Sequence, residues 1–145
     1  MAADTVCTLV PYFKVKPGQL AAFKAGVAGF VERTKSEKGC VHYAFSFDGD
    51  TAHCREGYDD AAALLAHLDN VGALLGETLK IADITRLEVH APAAEIDKLR
   101  GPLAAMVTAV MPGTACIALA TAAASSTAVS TLTWGPASIV AHAPT

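Results

Sequence analysis

No aspartate, glutamate, lysine or arginine follows Arg100, so residues 101–145 carry no formal charge. A basic stripe is missing as well. The formal charge of −3 is spread over interspersed acids and bases, which argues against a phosphate backbone or an anionic membrane surface as a partner. Nucleic acid is therefore not expected. Cys7, Cys40, Cys54 and Cys116 include no C-x-x-C pair and no zinc-type Cys/His spacing, so neither a disulfide framework nor a metal site is expected. The opening MAADTVCTLV lacks the basic and long apolar regions of a signal peptide, and the expected compartment is a reducing cytoplasm. One uncharged stretch, Leu103 to Ala124, is long enough to cross a bilayer, but it is Ala-rich and broken at Pro112-Gly113. A membrane partner is the less favoured reading. No internal repeat is present, which removes solenoid architectures.

What remains is a domain-sized chain with a patterned first hundred residues. Residues 5–100 read as one domain, and 101–145 as an Ala/Thr/Ser-rich tail, partly disordered or pairing with a partner subunit. Thr5 to Val15 is rich in β-branched and aromatic residues and reads as a strand ended by Pro17-Gly18. Leu20, Phe23, Val27, Phe30 and Val31 recur at helical spacing before Lys38-Gly39. Cys40 to Phe47 and Thr51 to Tyr58 read as a hairpin across Asp48-Gly49, a dipeptide suited to a type I′ turn. Asp59 or Asp60 caps a second helix through Leu68, resuming from Val71 to Leu79. A fourth strand over Ile84 to His90 and a short helix over Ala93 to Leu99 complete the pattern. The order β-α-β-β-α-β is that of a ferredoxin-like α+β fold, a four-stranded antiparallel sheet with helices on one face. The first strand is apolar on both faces, Val6, Val10 and Tyr12 against Cys7, Leu9 and Phe13. The uncovered face then calls for a second copy of the chain, so a homodimer is expected.

With Asp48 and Gly49 as the loop, Cys54 faces Tyr43 and Glu56 faces Val41. One hairpin face then carries Val41, Tyr43, Phe45 and Phe47 beside Ala52, Cys54, Glu56 and Tyr58, and the other carries His42, Ser46, His53 and Arg55. Glu56 is the acid on the apolar face, where it must be neutral, paired or open to a wet cavity. In the next helix His67 lies three residues after Leu64 and four before Val71, on or beside the buried stripe. A sheet carboxyl and a helix imidazole thus converge on one interlayer space, the makings of acid–base chemistry. The bland alternative is an ion pair between Glu56 and Arg86, with His67 merely packed. Tyr43 and Tyr58 pack as core rings, and with Leu64 they are the candidate substrate contacts.

The strand ending Glu56-x-Tyr58 followed by Asp-Asp-x-x-Ala-Leu-x-x-His, with KPGQLAAF and SEKGCVHYAF before it and LEVHAPAAEIDKLR after it, resembles the antibiotic biosynthesis monooxygenase domain. The resemblance covers about residues 5 to 100. It implies a dimeric α+β barrel with a pocket between sheet and helices, and monooxygenase activity on quinols or polycyclic aromatic phenols with O₂. Several such enzymes use neither metal nor flavin, so no cofactor is expected. By this resemblance Glu56 and His67 line the pocket and help deprotonate a phenol. A non-catalytic small-molecule-binding or stress-response module is the alternative, since fold does not fix function. One branch of the family degrades haem with an Asn, a Trp and an iron-binding His near the end of the second helix. Here His67 stands where that Trp lies, Leu74 to Glu77 contains no His, and no Trp precedes Trp134. A haem-handling protein is therefore the least favoured reading.

Overall fold

The structure is a computed structural model that describes residues 4–110, 116–121, 132–135 and 138–139. Strand β1 (Cys7–Val15) leads through the Pro17-Gly18 turn to helix α1 (Leu20–Thr34), and a short loop returns the chain to strand β2 (Cys40–Asp48). The hairpin partner β3 (Thr51–Tyr58) precedes α2 (Ala61–Thr78), β4 (Ala82–Ala91) and α3 (Ala93–Val110). Strands β5 (Cys116–Thr121), β6 (Leu132–Gly135) and β7 (Ser138–Ile139) follow. The sheet order is β2-β3-β1-β4-β5-β6-β7. Its first four strands pair antiparallel. This is the ferredoxin-like α+β fold that the element order predicts.

The helices all pack on one face of that sheet. Cys7, Leu9 and Phe13 of β1 share a single core with Phe23 of α1, Leu64 of α2 and Leu99 of α3. The opposite face of β1 presents Tyr12, stacked on His53 with ring centroids 5.4 Å apart, and a bulge between Tyr12 and Phe13 interrupts the β1–β4 register. Arg86 pairs with Glu88 at 2.5 Å and covers the Tyr12 ring, so the alternative of a Glu56–Arg86 ion pair is not realised.

Several local expectations need correction. The hairpin pairs Asp48 with Thr51, which makes Gly49 and Asp50 the loop, with Gly49 at φ +57°. Glu56 therefore faces Tyr43, and Cys54 faces Phe45. Moving a turn by one residue shifts the sum of partner numbers by two, so each side chain stays on its expected face. Val41 is the exception. The register breaks between Cys40 and His42, and Val41 is 52% exposed there, as a bulged residue leaves the ladder.

The second helix runs unbroken, with the Asp60 side chain accepting from the Ala63 N–H at 2.8 Å as its N-cap. The third is much longer than Ala93 to Leu99. It continues through Pro102 to Val110, because Leu103 and Val107 extend the buried stripe of Ile96 and Leu99 into the core. That burial outweighs the interior proline, a cost of about 3 kcal/mol. The uncharged stretch weighed as a membrane span thus begins as the last turns of α3 and later forms β5, parallel to β4. Among the described residues no helix is long and apolar enough to cross a membrane.

Candidate active site

Strand β3 delivers Glu56 to the interlayer space and α2 delivers His67 opposite it. The alternation that buries Ala52 and Cys54 also buries Glu56, and the stripe Ala61, Leu64, His67, Val71 is the buried face of α2. Glu56 is 3% exposed and His67 2%. His67 Nε2 lies 3.4 Å from Glu56 Oε2. The Tyr58 hydroxyl donates to the same Oε2 at 2.8 Å.

A cavity of about 40 Å³ opens beside this pair. Tyr43, Glu56 and His67 form its polar end, and Leu9, Phe13, Val71, Leu87 and Met106 are among its apolar walls. It admits a few water molecules but is smaller than the roughly 150 Å³ space that a single aromatic ring occupies in a dry core. A ligand of that size must move a wall. Tyr58 and Leu64 lie outside the lining. Tyr58 is wholly buried behind Glu56, with its ring 5.1 Å from that of His67, and Leu64 belongs to the core.

Burial sets the protonation of the pair. It pushes the Glu56 carboxyl up to about 8, against hydrogen bonds from Tyr58 and Cys54 that favour the anion and with the charge of Glu37 adding to the rise. Burial also lowers the His67 imidazole, opposed by Glu37. Near neutral pH the site therefore holds a protonated acid beside a neutral base. The Tyr43 and Tyr58 phenols and the Cys54 thiol are pushed well above their usual ranges, chiefly by burial and then by Glu56. They stay neutral.

One residue of the site escapes sequence reasoning. Glu37, in the loop between α1 and β2, sets both carboxylate oxygens on His67 Nδ1, at 3.0 and 2.9 Å. Asn70 donates to Glu37 Oε1 at 2.6 Å. The available signal was Asn70 three positions after His67, on the same side of α2. Among the described residues no group of three or more His, Cys, Asp and Glu side chains is arranged to hold a metal ion.

The antibiotic biosynthesis monooxygenase profile matches residues 7–73. The crystal structure of MupZ from Pseudomonas fluorescens is 50% identical, over 71% of this chain and 85% of that one, with a TM-score of 0.68. The chain belongs to the antibiotic biosynthesis monooxygenase family. A conserved protein from Methanosarcina mazei, 17% identical, matches over 60% of this chain and 92% of its own with a TM-score of 0.54. Rv0793 from Mycobacterium tuberculosis, 23% identical, matches over 61% and 95% with a TM-score of 0.53. These two share the fold. None of the curated proteins matches the chain.

Proposed function

We propose that the protein is an enzyme in which Glu56 and His67 move protons on a small, uncharged, largely apolar substrate carrying an oxygen function. The observation that carries this reading is the 3.4 Å approach of a buried carboxyl and a buried imidazole at the polar end of an apolar cavity. In the chemistry that family membership suggests, the substrate is a quinol or polycyclic aromatic phenol. His67 Nε2 takes the phenolic proton, and the electron-rich anion reacts with O₂. One oxygen atom enters the ring and the other leaves as water, the substrate supplying all four electrons as a phenol becomes a quinone or a quinol a hydroxyquinone. Protonated Glu56 donates to the departing oxygen. No cofactor is called for by this sequence, and a homodimer in the cytoplasm is the assembly proposed for it.

A second reading is favoured by the protonation of Glu56. A neutral acid beside a neutral base suffices for an isomerisation or intramolecular addition that consumes no oxygen. A purely binding role loses its basis in an ion pair, since Arg86 serves Glu88 and not Glu56. Oxygen uptake by the purified protein against a panel of quinols, with and without chelator, tests the monooxygenase reading. Consumption that disappears in Glu56→Gln and His67→Gln supports it. Turnover without oxygen consumption favours the second reading, and ligand binding with no turnover leaves the binding module.

A further inference from the structure

Glu37 has no place in the reaction just described, yet it is held as firmly as the residues that do. Its loop is fixed at both ends. The Glu37 N–H donates to the Thr34 carbonyl at 3.1 Å, and the Gly39 carbonyl accepts from the Asp59 N–H at 2.8 Å. Gly39 has φ +88°, and a Cβ there would lie 2.8 Å from that of Ala63, so the loop passes α2 at a distance only glycine permits. Beyond it, the Arg33 guanidinium donates to the Asn70 carbonyl at 2.9 Å, and the Asn70 amide donates back to the Arg33 carbonyl at 3.3 Å. The same amide holds Glu37 Oε1.

The carboxylate so placed meets one nitrogen of His67 and not the other. Nδ1 lies 2.9 and 3.0 Å from its two oxygens, whereas Nε2 faces Glu56. Tyr43 and Tyr58 pack against the ring with centroids 5.3 and 5.1 Å distant. A carboxylate only accepts hydrogen bonds, so the nitrogen facing it must carry the proton. In a neutral imidazole the other nitrogen then holds the lone pair.

We infer that Glu37 is a positioning residue that fixes the tautomer of His67, with the proton on Nδ1 and the basic lone pair on Nε2 toward Glu56. The inference rests on the acid–base reading of that pair and gives each partner its part. His67 is the base. Glu56, expected from sequence to help take the substrate proton, is the acid. The logic is that of any imidazole base oriented by a carboxylate on its far nitrogen.

The test is long-range ¹H–¹⁵N correlation NMR of the histidine rings in the full ¹⁵N-labelled protein, with His67 identified by the signals lost in His67→Gln. Near neutral pH the parent protein should show Nδ1 protonated and Nε2 bare. In Glu37→Gln the side-chain amide can donate to Nδ1, so the Nδ1–H form should lose its dominance, and kcat should fall on the order of 10-fold or more at little changed KM. A proton on Nε2 in the parent overturns the inference even where Glu37→Gln does not fold. So does a Glu37→Gln variant with the parent tautomer and kcat. Full turnover by His67→Gln is a different failure, which removes the acid–base reading and leaves the tautomer assignment standing.

Discussion

Glu56 and His67 show how much chemistry a pattern of alternation carries. Their convergence follows from two periodicities, two residues on the hairpin and about 3.6 on the helix, neither of which depends on where the turn falls. Glu37 was illegible for the opposite reason, since it reaches His67 from an irregular loop 30 positions away. Glu56→Gln keeps the shape of the side chain and removes the titrating proton. Turnover should fall about 10²-fold or more, measured as kcat on the best substrate found. Melting near pH 8 should come at the parent temperature or above, because the variant has no charge to bury. A clear drop in melting temperature with full turnover would make Glu56 a structural residue.

The elements divide into those whose signals agree and one whose signals conflict. Strand β3 spans Thr51–Tyr58, just as alternation between turn residues predicts. Helix α3 carries Gly101 and Pro102 in its interior, where composition alone suggests an end. The stripe Ile96, Leu99, Leu103, Val107 decides otherwise, because each of these residues is buried in the core. Leu103, 1% exposed, is the direct probe of that extension. Leu103→Ala should cost about 2–5 kcal/mol by chemical denaturation, and a chain cut after Arg100 should be molten or insoluble. A folded, fully stable product of that cut would show that α3 past Arg100 adds nothing to the core. The loop that carries Glu37 has its own probe in Gly39→Ala, which meets both an unfavourable φ and the Ala63 side chain. It should lower the melting temperature and weaken the Glu37–His67 contact together.

At the scale of the whole molecule the described helices share one core with one face of the sheet, and the apolar residues that β1 sends to its other face are legible in the sequence. Sedimentation at micromolar concentration should find a homodimer, and a stable monomer would count against the expectation drawn from β1. The buried pair also gives folding a pH dependence with a definite sign. Glu56 has its folded value raised from 4.5 to about 8, so its stabilising contribution is complete below 4.5 and fades as pH rises through 8. His67 is lowered from 6.5, so its contribution is complete above 6.5 and fades as pH falls through its folded value. Of these two groups only Glu56 changes its contribution as pH rises from 6.5 to 8. The parent should lose melting temperature over that window, and Glu56→Gln should lose less. The proposed function requires the fold to hold a neutral carboxylic acid beside a neutral imidazole near neutral pH. Titration of the Glu56 carboxyl carbon by ¹³C NMR in the intact protein measures this without any substrate, with Glu56 identified by the signal absent from Glu56→Gln. A midpoint near 8 is the predicted result. A midpoint near the ordinary 4.5 would mean that Glu56 is a carboxylate at neutral pH and not the acid of the site.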